Sequence, residues 1–347
     1  MSARRVPAED LKAYVREIMI ANGVDEEQAR SVSDIMIWNE LVGRPNHGIK
    51  RLPVHLKRLS HGVLNCPCRP RFDALGGGAM ERLDGDAGFG YHVGLVAMDR
   101  AIELASTHGV GVVCVHNSNY FGTGAFFVDR AAQAGMIGLA LSNSFPKVTP
   151  CGGNKPVFGT NPLAFGAPRR DGHSVMLDMA TSQVAGSLIR ELIDEGGRVP
   201  VGVAIDASGD PITDPRMVSS GTLLPFGGHK GSGLALMVEL LSGVITGAGV
   251  SHGVASMLNN FEDNANIGHF FMALEISRLM PLATYHDRVE DLIEGVKDSR
   301  FDREVLIPGE RRWREYESNT AKGLPFGDQQ GHMLGELADP FDIKPPW

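Results

Sequence analysis

Residues 90–142 read GYHVGLVAMDRAIELASTHGVGVVCVHNSNYFGTGAFFVDRAAQAGMIGLALS, and their apolar positions follow two different periods. Apolar residues recur at a spacing of three to four in residues 90–107 and 125–134, which predicts two amphipathic helices. The short apolar runs 111–115 and 137–142 follow these helices and are typical of buried strands. This helix–strand–helix–strand order predicts a mixed α/β or α+β fold.

On the N-terminal side, the helical spacing continues over residues 8–21 and 52–59, and a third helix is predicted to begin after Asp25. Asp25 is the expected N-cap of that third helix, with Gln28 as its capping-box partner. The front section of the chain is therefore predicted to be helical.

On the C-terminal side, residues 162–168, 174–179 and 270–276 are predicted strands, and residues 287–297 are a predicted amphipathic helix. Residues 232–246 are helical in pattern and almost wholly apolar, so we expect this helix to be buried. From Tyr316 onward the chain is polar and rich in Pro and Gly, and we expect an extended arm or a partner-wrapping segment.

The bulk composition excludes several classes of protein. A chain of 347 residues with 43% hydrophobic and 21% charged residues is long enough for two or three structural units and predicts little disorder. The net charge of −8 argues against a nucleic-acid partner, and the pair Arg311–Arg312 is expected to be solvated surface. No apolar run reaches membrane-spanning length, and residues 1–11 lack the apolar core of a secretory signal, so we expect a cytoplasmic protein without a membrane span.

The four cysteines do not form a metal-binding pattern. Cys66 and Cys68 are closer together than the usual zinc pair, and Cys114 and Cys151 stand alone. We therefore expect free thiols and no metal site, as is usual in a reducing compartment.

One polar stretch, residues 46–53 (NHGIKRLP), sets His47 and Arg51 four residues apart, and Pro53 is expected to stop the helical turn. Positions i and i+4 share a face of a helix, so a proton carrier and a planar cation would point the same way. Such a pair suits a small carboxylate substrate, because arginine clamps a carboxylate through two parallel hydrogen bonds and histidine moves a proton near neutral pH. Taken alone, the pair also fits a surface histidine and a solvated arginine at a helix end.

Two further segments suit a nucleotide. Residues 224–233 (LPFGGHKGSG) set His229 and Lys230 before the predicted apolar helix, where free N–H groups and a cation suit a phosphate. The alternative is a loop that only caps the helix. Asp178, at the end of a predicted strand, either bonds to a ribose diol or caps a following helix. No Gly-x-Gly-x-x-Gly follows a strand, so a standard Rossmann unit is disfavoured.

Six ordered blocks together resemble the malate/L-lactate dehydrogenase family of nicotinamide oxidoreductases, over about residues 8–320. The blocks are His47-Gly48 with Arg51, Asn117-Ser118 with Phe121-Gly122, Gly159-Thr160-Asn161-Pro162, Asp178-Met179-Ala180-Thr181-Ser182, Gly228-His229-Lys230-Gly231, and Ile307-Pro308-Gly309-Glu310. The resemblance implies a non-Rossmann α/β fold with a largely antiparallel sheet, a helical domain and a homodimer. We expect residues 1–75 with 276–347 to form the helical domain and residues 76–275 to form the domain that binds NAD or NADP.

The resemblance also implies roles for individual residues. His47 is the expected proton carrier, with Tyr120 and Asn46 as the other catalytic candidates. Arg51 and Thr160 are expected to bind a small carboxylate substrate. The cofactor is expected to contact the residues Asp178, Met179, Ala180, His229, Lys230, Gly231, Gly309 and Glu310.

Three positions depart from the family pattern. Asn46 replaces the usual serine, Tyr120 replaces a histidine, and Leu188 stands where a charged residue is common. Asn46 and Tyr120 keep hydrogen-bonding groups, whereas Leu188 has none. Three functions therefore stay open: hydride transfer on a small 2-hydroxy acid/2-oxo acid pair, reduction of a cyclic imino acid, and nucleotide binding without turnover. The missing charge at position 188 counts against the imino acid.

Overall fold

The computed structural model describes residues 4–74 and 77–347. The α-helices are α1 (Ala8–Ala21), α2 (Glu26–Leu41), α3 (Leu52–Ser60), α4 (Gly90–His108), α5 (Gly124–Gln133), α6 (Gly186–Asp194), α7 (His229–Val238), α8 (Leu282–Asp298), α9 (Glu310–Lys322) and α10 (Asp328–Ala338). The strands are β1 (Arg4–Val6), β2 (Arg71–Phe72), β3 (Met80–Asp84), β4 (Val110–Ser118), β5 (Met136–Ser142), β6 (Leu163–Ala167), β7 (Val175–Met179), β8 (Ala204–Ile205), β9 (Thr222–Leu223), β10 (Ile267–Glu275) and β11 (Leu324–Phe326).

A seven-stranded sheet lies at the centre, in the order β2-β3-β4-β10-β5-β6-β7. Within the described strands of this sheet, β3 and β4 run parallel and the other neighbours are antiparallel. Helices α4 and α5 pack on one face, and the π-helical continuation of α7, Glu239–Val244, contacts β10, β4 and β5. The predicted mixed α/β fold with a largely antiparallel sheet is therefore confirmed.

The front section is helical, as predicted. The side chain of Asp25 accepts hydrogen bonds from the backbone N–H groups of Glu27 (3.0 Å) and Gln28 (3.3 Å) and caps α2. The Gln28 side chain does not return to Asp25 but donates to the carbonyl of Cys68 (3.1 Å), so the expected capping box does not form.

The predicted C-terminal arm is wrong. Tyr316 lies within α9, β11 pairs with β1, and α10 buries Leu334 and Ala338. The prediction failed because the partner strand of β11 lies at the opposite end of the chain, where no local pattern records it. The pairing brings the two ends of the chain together. The division into a helical domain and a cofactor-binding domain stays a prediction.

The apolar helix predicted over residues 232–246 begins earlier, at His229, and is buried on one side only. Ala235 and Val238 are buried. Five large apolar side chains of this segment are 37% to 51% exposed, namely Leu236, Met237, Leu240, Val244 and Ile245. None of the helices in the described ranges combines the length and the hydropathy that a membrane crossing requires.

Candidate active site

His47 lies on a bend and not on a single helical turn. Two 3-10 turns, Pro45–His47 and Ile49–Arg51, meet at Gly48, and Pro53 lies in the first turn of α3. The prediction that Pro53 stops a helical turn is therefore wrong. Pro53 lies where α3 begins, and proline is tolerated at the start of a helix. His47 and Arg51 still line one cavity, and the Nε of Arg51 donates to the carbonyl of Asn46 (2.7 Å) across the bend.

Glu40 supports this bend from α2. Its carboxylate accepts a hydrogen bond from the backbone N–H of Ile49 (2.9 Å). A Cβ atom on Gly48 would clash with the Glu40 carboxylate and lie 2.9 Å from the carbonyl oxygen of Met36, so only glycine fits here. Burial raises the pKa of Glu40 to about 7, against the smaller opposing effects of the Ile49 hydrogen bond and the charge of Lys50.

The raised pKa of Glu40 predicts that the folded state loses stability as the pH rises from about 4.5 to about 7. In that window Glu40 is protonated in the folded chain and ionised in the unfolded chain, so the free energy of unfolding falls with pH. The shift corresponds to on the order of 3 kcal/mol. We expect Glu40→Gln to remove this part of the pH dependence in urea denaturation curves. The matched control is Glu17→Gln on exposed surface; an unchanged pH slope in Glu40→Gln contradicts the prediction.

Tyr120, which follows β4, sets its hydroxyl against Nδ1 of His47. The two rings stack with their centroids 6.1 Å apart, and the Cζ of Arg51 lies 5.9 Å from the centroid of the Tyr120 ring. Burial lowers the pKa of His47 to about 4 and raises the pKa of Tyr120. At neutral pH a neutral imidazole therefore faces a protonated hydroxyl. When that hydroxyl donates to Nδ1, the imidazole hydrogen lies on Nε2.

Asn46 has a carboxylate partner that sequence reasoning missed. Its side-chain amide donates to Glu191 of α6. Glu191 and Arg190 line the cavity together with Leu188. The helical turn that follows the uncharged Leu188 therefore places one negative and one positive side chain in the cavity wall. The helical spacing of α6 is the signal that could have revealed this, because it sets residues 187 and 190–191 on neighbouring positions of one face.

Asp178 lies in β7 and pairs with Arg312 of α9 at 3.1 Å, and both side chains are at most 10% exposed. The interpretation of Asp178 as a helix cap is wrong, because β7 continues through Met179 and the next helix begins only at Gly186. The expectation that Arg312 is solvated surface is also wrong, because this face of α9 packs toward β7.

A cavity of about 1000 Å³ connects these groups. Eight of the candidate residues line it, namely Asn46, His47, Arg51, Tyr120, Thr160, Asp178, Met179 and Ala180. Arg312, which was not a candidate, lines it as well. Small-molecule pockets span roughly 300–1000 Å³, so this cavity exceeds what an acid of a few carbon atoms needs.

The other candidate cofactor residues lie outside the lining of this cavity. His229, Lys230 and Gly231 begin α7, and a Cβ atom on Gly231 would lie 2.8 Å from the carbonyl oxygen of Thr181. Phe226, five residues before Gly231, does line the cavity. The start of α7 therefore adjoins the cavity wall.

Gly309 and Glu310 have structural contacts beside β7. Gly309 has a φ of 97°, and a Cβ atom there would lie 2.9 Å from the Cβ of Met176, so glycine is required on both counts. The carboxylate of Glu310 accepts a hydrogen bond from the backbone N–H of Ile307 (2.9 Å) and pairs with Lys297. The structure does not bring these two residues to the wall of the cavity.

Four cations that line the cavity form no ion pair with a carboxylate of the described residues, namely Arg44, Arg51, Lys147 and Arg190. Burial, together with the smaller effects of the charges of Arg190 and Arg51, lowers the pKa of Lys147 to about 8. Burial and the charge of Arg51 lower the pKa of Arg190 to about 10. Sequence reasoning missed Lys147 and Arg190. The cavity is electropositive around Arg51 and therefore attracts anions.

The four cysteines lie outside the lining of this cavity. Cys66, Cys68, Cys114 and Cys151 are free thiols. Within residues 4–74 and 77–347, no group of three or more His, Cys, Asp or Glu side chains is arranged to hold a metal ion.

Comparison with known proteins identifies the family of this chain. The family model described as malate/L-lactate dehydrogenase matches residues 6–334. The malate dehydrogenase of Pyrococcus abyssi is 36% identical, over 98% of this chain and 96% of that protein. The L-sulfolactate dehydrogenase of Methanothermobacter thermautotrophicus is 36% identical over 97% of both chains. The Delta(1)-pyrroline-2-carboxylate/Delta(1)-piperideine-2-carboxylate reductase of Pseudomonas putida is 31% identical over 96% of both chains.

The crystal structure of malate dehydrogenase from Entamoeba histolytica superposes on this fold with a TM-score of 0.95 and 27% identity, covering 99% of this chain and 100% of the other. The resemblance inferred from the six sequence blocks is confirmed. The matches in sequence and in fold run over nearly the whole chain, and the protein is therefore a member of the malate/L-lactate dehydrogenase family.

Proposed function

We propose that this protein transfers a hydride between NAD or NADP and a small 2-hydroxy acid/2-oxo acid pair. The observation that carries the proposal is the convergence of His47, Tyr120 and Arg51 in one cavity, with the Tyr120 hydroxyl bonded to His47. Oxidation of a 2-hydroxy acid needs a proton carrier beside a group that binds the carboxylate. Membership of a family of dehydrogenases supports the same reaction class.

The volume of the cavity leaves room for a nicotinamide cofactor beside the substrate. Its volume exceeds that of a small acid, and Asp178, Met179 and Ala180 line it from the end of β7. The start of α7, with His229 and Lys230, adjoins the cavity and offers N–H groups and a cation to a pyrophosphate. Hydride acceptance and donation is the chemistry that this cofactor supplies when bound.

The protein's own residues bind the substrate and move the proton. Arg51 binds the substrate carboxylate, and Thr160 lies against the substrate in the same cavity. In the reductive direction His47 donates a proton to the C2 oxygen, and in the oxidative direction it accepts that proton. The Tyr120 hydroxyl bonds to Nδ1 of His47 and orients the ring. Asn46, which is bonded to Glu191, stabilises the bend that carries His47. The positive charge of Arg51 is one cause of the lowered pKa of His47. A bound carboxylate offsets this charge and therefore favours the protonated imidazole.

Cofactor titration and a substrate screen test this proposal. We expect NADH or NADPH to bind the purified protein, measured by fluorescence or calorimetry, and 2-oxo acids to be reduced. Absence of nicotinamide binding contradicts the proposal. Binding without turnover of any 2-oxo acid or cyclic imine favours a nucleotide-binding member of the family that has lost its chemistry.

A cyclic imino acid is the alternative substrate, and one observation favours it. The carboxylate that Leu188 cannot supply is provided by Glu191, which bonds to Asn46 next to His47. A relative that is 31% identical is named as a pyrroline- and piperideine-2-carboxylate reductase. Reduction rates for Δ1-piperideine-2-carboxylate and for pyruvate with the same cofactor separate the two substrates.

The exposed apolar side of α7 and its continuation supports a homodimer. Leu236, Leu240 and Val244 recur at a four-residue spacing and are 46% to 51% exposed. Apolar surface of this kind marks an interaction site. We expect the wild type to be dimeric by size-exclusion chromatography with light scattering, and Leu240→Asp to be monomeric. Val201→Asp, which alters an exposed apolar residue in a loop, is the control; a monomeric wild type overturns the prediction.

A cytoplasmic location is also proposed. The free state of all four cysteines supports it, because thiols persist in a reducing compartment. Cell fractionation with an antibody to the protein tests the proposal, and recovery in an oxidising compartment contradicts it.

A further inference from the structure

Arg58 is a charged side chain of the interior that the proposed reaction does not use. It lies on α3, seven residues after Arg51, and is only 1% exposed. In the parts of the chain that the structure describes, it forms no ion pair with a carboxylate, and its Nε has no hydrogen-bond partner. Burial of a guanidinium is costly, because the group leaves water without a counter-charge. Such a costly arrangement is typical of a position that serves function.

The guanidinium of Arg58 joins three segments of the chain. Its Nη1 donates to the carbonyl of Asn260 (2.6 Å), and its Nη2 donates to the carbonyl of Asp263 (3.1 Å). Nη2 also donates to Oδ1 of Asn119 (3.4 Å), the residue before Tyr120. Arg58 therefore connects α3, the end of β4 and residues 260–263.

Residues 255–264 form a loop, the clamped loop, which contributes to the cavity wall. The backbone N–H of Ala255 donates to the carbonyl of Ala265 (3.1 Å) and joins the two ends of this loop. Met257 and Leu258 of the loop line the cavity. Tyr120 packs against an apolar cluster at the two ends of the loop, which consists of Val254, Ala265 and Ile267. The clamped loop therefore lies beside Tyr120.

The exposed end of α3 contacts the same loop through Phe261. The Nζ of Lys57 lies 4.2 Å from the centroid of the Phe261 ring, and the centroids of the His61 and Phe261 rings are 5.3 Å apart. A cation–π contact at an exposed site is weak. The buried hydrogen bonds of Arg58 are therefore the main connection between α3 and the clamped loop.

We propose that Arg58 is a positioning residue, which holds the clamped loop closed beside the Tyr120–His47 pair and excludes water from it. The inference rests on the proposed function, because it takes His47 as the proton carrier. Exclusion of water keeps the imidazole neutral, since burial is the main cause of the lowered pKa of His47. A fixed wall also orients the substrate, and a displacement of about 1 Å can lower the rate by about 100-fold.

Hydrogen exchange measured by mass spectrometry tests the clamp without turnover. In Arg58→Met we expect peptides that cover residues 255–264 to exchange at least about 10-fold faster than in the wild type. Arg58→Lys keeps the charge but loses the planar set of donors, and its exchange should be intermediate. The control Arg30→Met, on the exposed surface of α2, should match the wild type. Unchanged exchange of the loop in Arg58→Met overturns the inference.

Kinetics of the same variants test the effect on the reaction. Arg58→Met should lower kcat/KM for reduction of a 2-oxo acid by about 10- to 100-fold and change the dissociation constant of the cofactor by less than about threefold. The acidic limb of kcat/KM for oxidation should rise toward pH 6.5, because hydration removes the main cause of the lowered pKa of His47. The other groups that face His47 are unchanged in this variant, namely Arg44, Arg51, Tyr120, Asp178 and Arg312.

Two further variants separate positioning from folding. Leu258→Ala opens the cavity wall without a change in the buried guanidinium, and it should move the acidic limb in the same direction. Leu334→Ala creates a cavity in the core beside α10. It should lower the melting temperature and leave the limb and the exchange of the loop unchanged.

A lower melting temperature of Arg58→Met with wild-type kcat/KM and an unmoved acidic limb assigns Arg58 a structural role and overturns the inference. An acidic limb that stays in place in both Arg58→Met and Leu258→Ala also overturns it. If the wild type binds no cofactor and reduces neither 2-oxo acids nor cyclic imines, it is the proposed function that fails. The exchange experiment then still decides whether Arg58 holds the loop.

Discussion

Replacing His47 with asparagine is expected to lower kcat by about 10²- to 10⁴-fold, because a positioned proton carrier contributes that much to catalysis. Asparagine keeps a polar side chain of similar reach but does not exchange a proton near neutral pH. The dissociation constant of NADH or NADPH should change by less than about threefold, since His47 is proposed to act on the substrate oxygen. Steady-state kinetics and a cofactor titration measure the two effects.

Two variants accompany His47→Asn. His61→Asn, on exposed surface, should leave kcat unchanged. Tyr120→Phe keeps the stacked ring and removes the hydroxyl that bonds to His47, and about a 10-fold loss is expected from one hydrogen bond. A larger loss in Tyr120→Phe than in His47→Asn identifies the tyrosine as the proton carrier and contradicts the assignment of His47.

The pH profile gives an independent check on His47. Its pKa is lowered to about 4 by burial, so the unprotonated base needed for alcohol oxidation persists well below the usual range of histidine. We therefore expect the acidic limb of kcat/KM for oxidation to lie well below pH 6.5. A limb at pH 6.5 that His47→Asn does not remove excludes this histidine as the base.

Replacing Arg51 with methionine is expected to lower kcat/KM by about 10²- to 10³-fold, because loss of a charged partner for the substrate carboxylate costs 2–5 kcal/mol or more. The effect should appear mainly in KM, since the carboxylate is bound in both the ground state and the transition state. Arg51→Lys should recover only part of the loss, because lysine lacks the planar pair of donors.

The melting temperature distinguishes a loss of substrate binding in Arg51→Met from misfolding of the variant. Arg51→Met removes the hydrogen bond to the Asn46 carbonyl but also relieves repulsion from Lys147 and Arg190, so the melting temperature should change little. Lys50→Met, the neighbouring exposed cation, should keep full activity. Full activity of Arg51→Met at the wild-type KM contradicts the role of Arg51.

Several parts of the fold could be read from local pattern. The helices over residues 8–21, 90–107 and 125–134 and the strands around residues 111–115 and 137–142 agree with the structure to within a few residues. These elements carry strong apolar periodicity, which records the face that each element buries. The apolar helix over residues 232–246 was predicted in the same way, although the structure begins it at His229. Its apolar pattern does not reveal that one side stays exposed.

Part of the candidate site could also be predicted from the sequence, although the structure brings its residues together in a different way. His47, Arg51, Thr160 and Asp178 line one cavity. The spacing of His47 and Arg51 suggested a shared helical face, yet the structure joins them through a bend at Gly48 that Glu40 supports. The types of these residues predicted their function, whereas their spacing did not predict the geometry that brings them together.

The pattern of residues therefore establishes the order of helices and strands, the family and eight of the residues that line the site. The folded chain is needed to show which groups neutralise or orient one another: Tyr120 on His47, Glu191 on Asn46 and Arg312 on Asp178. It also shows that Lys147 and Arg190 line the cavity beside Arg51 without an ion pair to any carboxylate in the described part of the chain. Local periodicity records which side of an element is apolar, whereas pairing of polar groups depends on contacts between segments far apart in the chain, and no local pattern encodes them.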